Sequence, residues 1–112
     1  MLKLAPRTVT IVSVLGGLIF QSFVPLQFND PDPFLWIMLY QGVALISYRH
    51  ARRDVPRVVF AIAIVICLAW AVSLLLQTTG RWFGGEIERE FGGVTLCLLW
   101  LLYLSFVRRV TP

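Results

Sequence analysis

Four apolar runs, residues 9–24, 33–48, 58–77 and 91–107, take up most of the chain, and none contains a charged side chain. Every Lys, Arg, Asp and Glu is confined to the short segments between and beyond them. A helix needs about 20 apolar residues, with a working range near 17–25, to cross roughly 30 Å of hydrocarbon. The third run meets that length alone, the first when it extends to Phe28, and the fourth when it begins at Glu86. The second is short: its 16 residues give about 24 Å of helix at about 1.5 Å per residue. Two relaxations, expected in mixture, bring it to span length: continuation through Arg49 and Ala51 with the arginines snorkelling, or a preceding loop that sits below the headgroups.

Composition makes lipid the solvent. Of 112 residues, 58% are hydrophobic and 14% charged, against about 45–50% and 25% in ordinary soluble domains. A soluble chain this small has too much surface to hide so many apolar side chains. The expected fold is therefore an all-α membrane protein, a four-transmembrane-helix bundle. It forms a single integral membrane domain over residues 1–112, with helices at about 8–28, 33–51, 57–79 and 86–108. Lys3 and Arg7 ahead of the first run resemble a signal peptide, but no small-x-small cleavage site follows Phe20, so a retained helix is expected.

Charge asymmetry sets the orientation. Lys3, Arg7, Arg49, Arg52, Arg53, Arg57, Arg108 and Arg109 fall on one side and Arg81 and Arg89 on the other, eight against two. The basic side is expected to be cytoplasmic, giving an N-in/C-in topology that requires an even number of spans. Carboxylates divide the other way, with Asp30, Asp32, Glu86, Glu88 and Glu90 outside and Asp54 inside.

The first outer loop carries Asn29-Asp30-Pro31-Asp32-Pro33, followed by Trp36 and Tyr40; the last helix begins with Arg89-Glu90 and then Gly92-Gly93. These residues resemble the transmembrane protein 220 family, whose members carry such an Asn-Asp-Pro-Asp-Pro turn with a following Trp and Tyr. The resemblance implies a small multi-spanning membrane protein and supplies no activity.

Two readings fit the outer acidic residues. In one they are structural. Asp32 caps the second helix, Pro33 takes its first position, and Asn29 folds back in an Asx turn beside the stiff Pro31. The glutamates then face the dipole of the fourth helix, with Arg89 three residues after Glu86. In the other, Asp30, Asp32, Glu86 and Glu90 converge on one pocket, an oxygen-only set suited to a divalent cation or a small polar ligand. Trp36 and Arg89 have structural roles in either case.

Elsewhere the sequence offers little chemistry. Cys67 and Cys97 sit inside apolar runs and His50 stands alone, so neither a metal nor a cofactor site is expected from them. No nucleophile–base set or phosphate-cradling glycine loop is present, and no enzymatic activity is expected. The basic residues form short topology clusters rather than a nucleic-acid face. The cluster after Tyr48 also suits anionic lipid headgroups. Ser13 and Gly17, Ala69 and Ser73, and Gly93 and Cys97 have small-xxx-small spacing that lets helices approach closely. Expected partners are the bilayer and either a larger membrane-protein complex or further copies of the chain. The expected role is that of an accessory or structural subunit, with a sensor or binding protein using the acidic cluster as the alternative. Arginine outnumbers lysine nine to one, a weak pointer to a GC-rich bacterial genome and hence to an inner membrane.

Overall fold

The computed structural model describes residues 2–29, 33–77 and 86–109. Among them the chain forms strand β1 (Leu2–Leu4), helix α1 (Pro6–Phe23), a 3₁₀ helix (Pro25–Asn29) and helix α2 (Pro33–Arg52). Helices α3 (Arg57–Leu75) and α4 (Glu86–Phe106) and strand β2 (Val107–Arg109) follow.

Prolines set three of the helix starts. Pro6 and Pro33 open α1 and α2, at the position where a missing N–H costs nothing. Pro56 sits one residue before α3 with φ −56° and ψ 143°, and its carbonyl accepts the Val59 N–H at 3.1 Å.

Helix ends differ from the hydropathy pattern. The α-helical part of α1 stops at Phe23 rather than near residue 28. Pro25 brings no N–H to the ladder, and the chain tightens, with Val24 N–H donating to Gln21 and Gln27 N–H to Val24, each at 3.1 Å. Helix α3 ends at Leu75 rather than near residue 79, as Gln77 N–H turns back to the Leu74 carbonyl at 3.0 Å. Helix α4 ends at Phe106, and residues 107–109 leave it to pair in parallel with β1, Leu2 opposite Val107 and Leu4 opposite Arg109.

The chain divides into two compact units. The first comprises Met1–Val55 with Leu104–Pro112, and its body is the antiparallel pair α1 and α2. Its seam is built from small residues. Ser13, Gly16 and Gly17 of α1 are buried, as are Val43, Ala44, Ser47 and Ala51 of α2. The approach is close at Gly17: a Cβ placed there would lie 2.5 Å from Cε1 of Tyr48. Small side chains of this kind let two backbones come together and gain dispersion contacts, the main attraction between helices in lipid.

The second unit comprises Pro56–Tyr103. Its buried residues are Phe60, Cys67, Ala71 and Leu74 on α3 and Val94, Cys97 and Leu101 on α4, a three-and-four spacing that marks one face of each helix.

Two stretches, Pro6–Phe28 and Arg57–Leu75, are long and apolar enough to cross a membrane, and Glu90–Phe106 is a shorter apolar stretch. Within the most apolar 18 residues of each, only 28% and 22% are buried, so most of their leucine, isoleucine and valine surface faces outward. A water-soluble protein rarely exposes apolar area on that scale.

Candidate functional site

The outer acidic cluster lies largely beyond what the structure describes. Asp30, Pro31 and Asp32 are outside the described residues, as are the side chains of Asn29, Glu86 and Arg89; their backbones end the 3₁₀ helix and open α4. Glu90 is half-buried. Among the described residues no three His, Cys, Asp or Glu side chains form a metal-binding group.

The motif residues after that loop are placed, and they point inward. Trp36 and Tyr40 are both 7% exposed. The Tyr40 ring stacks at 6.4 Å on Phe20 and meets Phe23 edge-on at 5.4 Å. Directly after Phe20 and Tyr40 in the chain, Gln21 and Gln41 exchange two hydrogen bonds, each amide donating to the other's carbonyl oxygen at 2.8 and 2.9 Å. The pair satisfies both amides between α1 and α2, where lipid would offer no partner. These residues lock the hairpin.

The most developed polar arrangement is at the other end of the first unit. His50, in the last turn of α2 and past the apolar run, is completely buried. Its Nε2 lies 2.8 Å from the Val107 carbonyl and its Nδ1 accepts the Val55 N–H at 3.1 Å. A carbonyl can only accept and a backbone N–H can only donate, so the ring must be the neutral tautomer protonated on Nε2. Burial pushes the imidazole below its ordinary value of 6.5, and Arg108 and Arg109 add to that; the bond to Val107 and the Asp54 carboxylate pull the other way.

Around this ring the chain closes on itself. Arg108, 9% exposed, donates from Nη1 to the Val55 carbonyl at 2.6 Å. Arg109 pairs with Asp54 at 2.8 Å and also donates to the Ala51 carbonyl. Thr10 of α1 donates to the same Ala51 carbonyl at 2.9 Å. Strand β2 is thereby tied to the end of α2 on one side and to β1 on the other. The chemistry available is positional: both ring nitrogens and the one local carboxylate are engaged in holding backbone.

In the sequence the residues after Tyr48 read as a topology signal that also suits lipid headgroups, and nothing there joins His50, Thr10 and Asp54 as a connected set. Their partners lie more than 40 residues away in sequence, and no local pattern encodes such pairs. Gln21 and Gln41 did carry a signal, being the long amide side chains of two successive apolar runs.

A family model described as "Transmembrane family 220, helix" matches residues 19–106. Neither a curated protein nor a solved structure matches the chain.

Proposed function

The chain belongs to transmembrane family 220, and we propose that it is a non-enzymatic, four-span accessory subunit of a larger assembly in a bacterial inner membrane. The observation that carries the reading is the use made of its polar groups. His50, the side chain best suited to acid–base work, spends both nitrogens on its own backbone, and Asp54 is paired with Arg109. What the molecule presents outward is apolar helix surface, as a subunit packed among lipids and other helices does.

The proposed topology is N-in/C-in with an even number of crossings. Pairing of β1 with β2 supports it, because the start of α1 and the end of α4 then meet at one surface. The arginines flanking α2 and α4 give that surface its cytoplasmic sign.

The test is the native mass of the tagged chain after gentle extraction from its own membrane. A reproducible larger assembly, with defined co-purifying membrane proteins, is the expected result. A monomer or small homo-oligomer overturns the accessory-subunit reading.

A further inference from the structure

We propose that the exposed face of α2 holds one anionic phospholipid, with its phosphate on Arg49, Arg52 and Arg53 and an acyl chain running over Leu45, Gly42 and Met38. The proposal rests on α2 crossing the membrane, as assigned above. Positions 38, 42, 45, 49 and 52 advance by alternating steps of four and three, which keeps them on a single helix face. Met38 and Leu45 are 56% and 58% exposed. Between them Gly42 leaves a notch: a Cβ there would meet no atom within 4 Å.

The stripe then changes character within one turn. Arg49, Arg52 and Arg53 are all exposed, and Arg53 N–H still donates to the Arg49 carbonyl at 3.0 Å, so the three share one helical turn. Like charges at this spacing repel, and the structure gives their side chains no bonded partner among the described residues. The carboxylate nearest in sequence, Asp54, is held by Arg109. Meanwhile the opposite side of the same turn is anchored through His50 and Ala51, which fixes the direction in which the guanidinium groups project. Three planar, permanently charged forks on a rigid turn match phosphate oxygens.

Lipid is the occupant chosen, rather than free phosphate, because charge and apolar track lie on one continuous face. Arg49 and Gly42 are separated by about 10 Å along the axis at about 1.5 Å per residue, which is roughly a third of the hydrocarbon thickness. A phospholipid carries a phosphate and an acyl chain at that separation in one molecule. A basic cluster that only sets topology draws anionic headgroups diffusely, so one lipid retained per chain, with a dependence on Gly42, marks the site.

The experiment titrates the full-length protein in detergent with phosphatidylglycerol, with phosphatidylcholine of the same acyl chains, and with inorganic phosphate alone. Bound lipid is counted by native mass spectrometry and the thermal midpoint is followed in parallel. Phosphatidylglycerol should be retained about tenfold more strongly than phosphatidylcholine, and inorganic phosphate should not move the midpoint. R49Q/R52Q/R53Q should keep its midpoint in phosphatidylcholine and lose the headgroup preference. Gly42→Leu, which has room to fold, should weaken lipid retention by filling the notch. Equal retention of the two lipids by the unsubstituted chain overturns the proposal without need of any variant. So does a midpoint shift with phosphate equal to that with phosphatidylglycerol, or a preference that survives the triple substitution. Labelling of Leu45→Cys by a water-soluble maleimide, beyond that of the unsubstituted chain, separates the two readings. Protection with no lipid preference defeats the lipid site alone, whereas labelling defeats the span and the site that depends on it.

Discussion

His50 can keep both of its bonds only while it is neutral, since a proton on Nδ1 turns the acceptor of the Val55 N–H into a donor. Its depressed folded-state value means that the unfolded chain takes up the proton first. Stability is therefore full above about pH 6.5 and drains as pH falls from there toward the lower folded value. The expected thermal midpoint declines as pH falls below about 6.5, and His50→Gln, which retains a donor and an acceptor, flattens that slope. An unchanged slope would remove His50 as its source. His50→Ala, which orphans a buried N–H and a carbonyl, should cost about 2–4 kcal/mol. The two glycines placed in the helical seam and on the open face make a second residue-scale test. Alanine at Gly17 collides with the Tyr48 ring, costing about 1–3 kcal/mol and outweighing the gain in helix propensity. Alanine at Gly42 meets open space and should add about 0.5–1 kcal/mol. Paired unfolding curves in one detergent check both signs at once.

Among the elements, α1 and α2 are coupled by the reciprocal amide pair, and coupling of this kind is measurable. Gln21→Leu or Gln41→Leu alone leaves one amide without its partner and should cost about 1 kcal/mol. The double substitution should recover most of that loss, because two leucines suit a lipid-facing seam. Additive losses in a double-mutant cycle would mean that the two side chains do not act together. Element starts were legible from the sequence to within two residues, because Pro6, Pro33 and Pro56 act through their own ring geometry. Element ends were less so. Extending the first run past Val24 to reach span length passes over the change to a 3₁₀ helix at Pro25, and nothing in Val107-Arg108-Arg109 announces that these residues will leave the helix. Their strand exists because β1 is there to pair with it, a fact about residues at the far end of the chain. Asp30, Asp32, Glu86 and Glu90 are legible only as carboxylates in two loops assigned to one side, and composition alone does not decide between caps and ligands.

At the scale of the molecule, the paired strands and the basic flanks make one prediction. Green fluorescent protein, which matures only in the cytoplasm, should fluoresce when fused at either end of the chain, while alkaline phosphatase at both ends stays inactive. Phosphatase inserted among residues 78–85 should be active. Activity of a terminal phosphatase fusion would overturn the topology. The first unit also has a timetable. Its early part, through Val55, cannot close until Leu104 and the residues after it have been made, and all of Pro56–Tyr103 comes between. At about 5–20 residues per second, synthesis of that stretch takes roughly 2–10 s. Throughout that interval the Nε2 of His50, the Asp54 carboxylate and the Val55 carbonyl have partners that do not yet exist. A nascent chain halted in that window carries an unfinished polar end, and its closure waits on β2.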